Sequence, residues 1–219
     1  MRRKVFALSM LAAALVASPG ARAEKPGYLT ALDPIATAPQ PTMCAHQKDD
    51  PFACYIRDKY RVAENPVPAP GRTRFAFRLY IQPSFSQLRI VQIVFSVTDP
   101  VPYGNGQAFP GDAVMEMTVW DANGVHKVQL DILSQWLFEH ELNMADLVAL
   151  PSQRAHKPTC LDPTSFTVEV ATTQGYHWAA LDCGDAPDPH EAAVYALISQ
   201  TVLIVRAALP KLGGDFPGP

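Results

Sequence analysis

From Arg72 onward the chain alternates, with Phe75, Phe77, Leu79 and Ile81 on one phase and Arg74, Ala76, Arg78 and Tyr80 on the other. A period of two predicts a half-buried strand, because successive side chains leave opposite faces of a pleated backbone. Pro83-Ser84 ends it. Leu88 to Thr98 reads as a second strand whose apolar phase shifts between Ile90 and Val91, which predicts a β-bulge or burial on both faces. Met115, Met117 and Val119 mark a third strand, and Asn123-Gly124 follows as a hairpin signal. Val128, Leu130 and Ile132 alternate with Gln129 and Asp131 in a fourth. Phe166, Val168 and Val170 define a fifth, Thr173-Gln174-Gly175 a turn, and Tyr176 to Leu181 a sixth.

Helical spacing appears in three places. Asp50-Pro51 opens a short helix, with Asp50 as cap and Pro51 at its first position; Phe52, Tyr55, Ile56 and Tyr60 recur along it. Residues 134–149 fit a helix capped by Ser134, through Trp136, Leu137, His140, Glu141, Met144, Leu147 and Val148. They also fit strand continuation with a short helix after Asn143; the helix is the expectation. Asp188-Pro189-His190-Glu191 reads as a cap, a first-position proline and a capping-box acid. Val194, Leu197, Ile198, Val202, Val205 and Leu209 then repeat at intervals of three and four until Pro210 and Gly213-Gly214. Such a stripe must be buried, and the apolar face of the sheet is the partner at hand. The predicted fold is α+β: a mostly antiparallel sheet of five or six strands, a long C-terminal helix on one face, a short N-terminal helix and two disulfides.

The first 23 residues belong to a different pattern. Arg2, Arg3 and Lys4 precede an apolar run from Val5 to Ala17, then Pro19-Gly20 and the small residues Ala21 and Ala23. A charged start, a short apolar core and a small-x-small cut form a cleavable secretory signal, which places the mature chain in the periplasm or outside the cell. The run is shorter than the ~20 residues a bilayer requires. Val202 to Leu209 is interrupted by Arg206, so no span and a soluble mature chain are expected. Domain boundaries follow: leader 1–23, a Pro/Ala-rich irregular or mobile arm 24–49, one α+β domain 50–213 and a tail 214–219. Within the domain, Glu64 to Gly71 is a proline-rich connector that cannot be helical.

Cleavage alters the charge. The leader carries four of the 18 Lys+Arg and no acid, so 14 cations remain against 21 Asp+Glu, a net of −7 instead of −3. An acidic chain argues against nucleic acid, which needs clustered cations, and against anionic lipid. The four cysteines, Cys44, Cys54, Cys160 and Cys183, all follow the leader, and an even count in an oxidising compartment predicts two disulfides. Three pairings are open; the local one, Cys44–Cys54 with Cys160–Cys183, is preferred. Zinc knuckles use closely spaced pairs, unlike the nine and 22 residues that intervene here.

Catalytic patterns are missing: there is no G-x-S-x-G, no phosphate-cradling loop and no H-E-x-x-H. No catalytic residue, metal ligand or cofactor is assigned. Glu139-His140-Glu141 point in different directions on a helix, and the offsets from His140 hold Asn143 and Met144, which are poor ligands. His156 and the Cys44-x-His46 pair read as a loop histidine and a bridge neighbour, and Asp182, Asp185 and Asp188 do not meet the calcium-loop template. Aromatics are the better binding candidates. Tyr176 and Trp178 share one strand face, where they stack on a ligand or join the core. Tyr103 and Phe109 sit in the long turn-rich loop 99–112. The expected function is a binding or interaction module of the cell envelope, with a protein or envelope component as partner. The alternatives are a hydrolase assembled from distant residues, and an assembly subunit docking through its arm.

Overall fold

The computed structural model describes residues 32–39, 42–45, 51–83, 87–97, 101–102, 108–109, 112–145, 147, 164–182 and 189–213. The expected leader 1–23, the expected tail 214–219, Asp50, Asp188, Tyr103 and the expected Cys160–Cys183 bridge lie outside the described residues. A six-stranded antiparallel sheet forms the centre. Its strands are β1 (Thr73–Gln82), β2 (Arg89–Val97), β5 (Ala113–Asp121), β6 (Gly124–Gln129), β7 (Ser165–Thr172) and β8 (Gly175–Asp182), in the order β6-β5-β2-β1-β7-β8. A separate ribbon pairs β3 (Val101–Pro102) with β4 (Ala108–Phe109). The helices are α1 (Pro51–Lys59), α2 (Ile132–Met144), α3 (Pro189–Ala208) and the single turn α4 (Pro210–Gly213). The fold is α+β, as the patterning predicts.

One sheet face forms the main core. Phe75, Phe77, Leu79 and Ile81 of β1 join Val91, Ile93, Met117, Val168 and Leu181 under α2 and α3. Phe138 of α2 meets Phe75 and Phe77 edge-on, with ring centroids 6.1 and 5.5 Å away. From α3, Val194, Leu197, Ile198, Val202 and Val205 complete the layer. By length and composition α3 is also apolar enough to cross a membrane, with mean hydropathy 1.3 over Glu191–Ala208. The sequence reading, which stopped at Arg206, missed that property. Here the stripe lies against the sheet.

The opposite face is covered too, which the alternation in β1 does not reveal. Ile35 and Val67 pack on the small residues Ala76, Val94 and Ala171, while Met43, Ala53 and Ile56 pack on Tyr80, Ile90 and Trp178. The backbone of the arm is tied in as well: Ile35 donates to Thr73 O and accepts from Gly71 N–H, each at 2.7 Å. Cys44 and Cys54 are bonded, fastening the arm to α1. On α1 itself, Tyr55 is exposed and Ala53, Cys54 and Ile56 are buried. The helix ends in a Schellman turn, with Val62 N–H on Arg57 O and Arg61 N–H on Asp58 O. Arg61 there holds φ 54°, a conformation that favours glycine.

Several boundaries move. The apolar phase shift in β2 reflects burial on both faces, since its pairing with β1 runs unbroken from Phe75↔Phe95 to Ile81↔Arg89. The irregularity falls instead between Thr73 and Phe75. Both hairpin loops sit one residue earlier than the glycine signals imply. They are Ala122-Asn123 and Thr173-Gln174, and Gly124 (φ 133°) and Gly175 (φ 145°) are the first residues of the return strands. Asp121 accepts the N–H groups of Asn123 and Gly124 at 2.8 and 3.1 Å, which pulls the first turn back. Strand β6 stops at Gln129. Asp131, not Ser134, caps α2, so Ile132 belongs to a helix and not to a strand. A carboxylate that captures a backbone N–H outcompetes two more residues of period-two pattern.

Candidate functional site

Helix α2 starts where Asp131 takes Ser134 N–H at 2.8 Å and Ser134 Oγ at 3.1 Å, while the Gln135 side-chain amide donates to Leu130 O at 2.7 Å. The hydrogen bonds from Ser134 lower the pKa of Asp131, the one from its N–H most, so the cap is ionised at neutral pH. Successive residues advance by about 100°, which puts Ser134, Phe138 and Leu142 on the inner side, where they are buried. The outer side is apolar as well. Ile132 is 84% exposed, Leu133 63%, Trp136 60% and Met144 63%. His140 stacks flat on Trp136, with centroids 5.7 Å apart and planes 14° off parallel. A helix of one sheet layer ordinarily turns charged residues outward; this one turns an aromatic and three aliphatic chains outward. Glu139 and Glu141, 200° apart on the helical wheel, border that arc on either side.

At the C-terminal end of α2 a pocket of about 560 Å³ opens toward the β7–β8 hairpin. Its floor is Phe75, Leu142, Leu147 and Val170, and its rim carries Asn143, Thr172, Gln174, Tyr176 and His177. Asn143 and Met144, neighbours on the helix, link this pocket to the exposed stripe.

The other sheet face holds a second constellation. Across the strands Lys127, Thr118, Gln92, Arg78, Glu169 and Trp178 stand in register as one row. Arg78 Nη1 lies 3.2 Å from Glu169 Oε2, and each side chain is 1% exposed. Arg78 also donates to Gln92 Oε1, to Tyr80 Oη, and to the connector carbonyls of Glu64 and Asn65. Gln92 Nε2 donates to Pro66 O at 3.2 Å. Burial by itself would lower the pKa of Arg78; Tyr80 and Glu169 reverse this and leave it raised. Tyr80 and Tyr176 donate to Glu169 at 2.8 and 2.5 Å. Burial first, then the charge of Glu169, holds both phenols above their ordinary range. The network's chemistry is structural: it satisfies carbonyls of a proline-rich segment that no strand pairs. Beside it runs a trough of about 450 Å³, edged by Trp120 and Lys127.

Among the aromatics singled out from the sequence, Trp178 is buried beneath the arm, with Met43, Cys44 and Cys54 in the same cluster. Tyr176 is half-buried; its hydroxyl accepts Met43 N–H at 2.8 Å and donates to Glu169. These two share the arm-side face, and His177 turns to the pocket on the other side. Phe109 lies in β4 opposite Val101, and Tyr103 lies outside the described residues. Of the four, side-chain surroundings are described for Tyr176 and Trp178 alone. His46, His156, Asp185 and Asp188 also fall outside the described residues, among which no three His, Cys, Asp or Glu cluster as metal ligands.

Sequence reasoning missed the outer stripe of α2 and the Arg78–Glu169 pair. A signal existed for the first: Phe138 and Leu142 make one apolar line four residues apart, Ile132 and Trp136 another, and a single core cannot bury both. No family model, curated protein or solved structure matches the chain.

Proposed function

We propose that the protein is an exported module of the cell envelope that holds another polypeptide on the outer face of α2. The observation that carries this reading is the exposure of Ile132, Leu133, Trp136 and Met144 along one helix. Contiguous apolar patches mark interaction sites on soluble proteins, and tryptophan is the residue most enriched where binding energy concentrates. Fully burying such side chains yields ~1.5–3 kcal/mol each. Four of them together supply roughly 6–12 kcal/mol, comparable with the ~4–15 kcal/mol cost of association, which suits a reversible complex. The leader pattern supports export, and so does the Cys44–Cys54 bridge, since disulfides persist in oxidising compartments. The pocket beside Asn143 is the natural seat for one side chain of the partner.

The test is site-specific photo-crosslinking in the native cell, with a benzophenone amino acid at position 133 or, as control on the opposite face, at position 116. The reading expects a discrete heteromeric adduct from position 133, weakened at least fivefold by Trp136→Ala. That variant should unfold at the wild-type urea midpoint, whereas Phe138→Ala, which empties the aromatic cluster, costs ~3–5 kcal/mol. Equal adducts from both positions, or an adduct with the mass of two copies, would overturn it. An unprocessed chain recovered in the cytoplasm would remove the export half of the proposal.

A further inference from the structure

Taking the outer face of α2 as the docking surface, we infer that the segment it receives is an amphipathic helix whose apolar face is bordered by lysine or arginine. The shape comes first. Ile132, Trp136, His140 and Met144 are four residues apart and form one ridge, of the kind that interdigitates with the ridges of a second helix. Leu133 and Leu137 form a parallel ridge beside it, with Leu133 exposed and Leu137 half-buried. Two such ridges leave a groove along the helix axis, where a partner helix presents anchors three and four residues apart.

Charge then selects among occupants. From Val128 to Leu150 the chain contains Asp131, Glu139, Glu141 and Asp146 and no lysine or arginine. Asp131 stands at the N-terminal end of the stripe, and Glu139 and Glu141 along its borders. A second copy of this chain, docked α2 to α2 about a two-fold axis, would set these carboxylates against their own counterparts. A bilayer surface is disfavoured for the related reason that interfacial helices carry Lys/Arg on the polar face to meet anionic lipid. A basic residue flanking an apolar stripe on the partner turns Glu141 into an attractive rim contact, which acts on association rate and choice of partner.

Three fluorescently labelled helical peptides of ~18 residues test this by anisotropy on the intact mature chain: one apolar face with Lys/Arg borders, the same face with Glu borders, and a scrambled control. At low salt, where the Debye length is long, the basic peptide should bind at least tenfold more tightly than the acidic one. The ratio should shrink to threefold or less near 1 M salt. Glu141→Lys should abolish the preference and Glu141→Gln should halve it or more, and Trp136→Ala should eliminate binding of either peptide. Equal binding of both peptides, lost in Trp136→Ala, overturns the charge inference and leaves α2 as the docking face. Binding of the basic peptide that survives Trp136→Ala overturns the site. Absence of binding by both overturns this inference and the docking reading together.

Discussion

Arg78 offers the sharpest test of how the second face of the sheet is held. In Arg78→Met the side chain keeps comparable apolar length but loses its charge and its donors. Glu169 would stay buried with the hydroxyls of Tyr80 and Tyr176 and no cation. Gln92 Oε1 and the carbonyls of Glu64 and Asn65 would lose the N–H groups that now point at them. Removing one partner of a buried pair costs ~3–5 kcal/mol, because the remaining charge is desolvated without compensation. The individual hydrogen bonds are not added to that figure, since they belong to one coupled network. For a domain whose whole stability is ~5–15 kcal/mol the loss is large. With a urea slope of ~2 kcal/mol/M it moves the midpoint down by roughly 2 M. The assay is equilibrium urea unfolding of the oxidised protein, followed by tryptophan fluorescence. Arg78→Met/Glu169→Leu should recover at least ~2 kcal/mol of the summed single losses, because an apolar pair leaves no orphaned charge. A loss below ~1 kcal/mol for the single variant, or strict additivity in the double, would refute the view that this pair anchors the connector.

Two further outcomes follow from the same face. Replacing Cys44 and Cys54 together by serine reopens a loop of sequence separation 10, and should cost ~2–3 kcal/mol through the freed unfolded chain. Trp178, in the same cluster, reports it as a red-shifted emission, and an unchanged midpoint would contradict a stabilising bridge. Tyr80 and Tyr176 have raised pKa values in the folded chain, so their contribution to stability is complete below pH ~10 and is lost as pH climbs above the unfolded value. A titration at 295 nm should therefore show both phenols ionising only as the protein unfolds in alkali. Normal titration of both near pH 10 in folded protein would count against the Glu169 network.

Much of the architecture was legible along the chain because local rules act on nearest neighbours. Apolar runs, most of them of period two, marked the strands of the main sheet, although β6 ends at Gln129 and not at Ile132, and Pro189 with the stripe from Val194 to Val205 marked α3. Where two local rules competed, the reading slipped. Ile132 continued the alternation of β6, yet the carboxylate of Asp131 closed a helix around it. Glycine marked both hairpins, but in each the loop precedes the glycine, which serves as the positive-φ residue starting the return strand.

Alternation by itself determined which residues of β1 share a face: Phe75, Phe77, Leu79 and Ile81 on one side, Arg78 and Tyr80 on the other. It could not say what covers the second side. Only the tertiary structure decided that the arm, α1 and the connector lie there, which turns Arg78 from an apparent surface residue into a buried one paired with Glu169, 91 positions away. The same holds for α2. Its spacing announced a helix, but two of its sides are apolar, and periodicity cannot choose between them. The choice was made by Phe75 and Phe77, whose rings receive Phe138. Once that side is packed, the rigid geometry of the helix leaves Ile132, Trp136 and Met144 facing outward, with Glu139 and Glu141 at their borders.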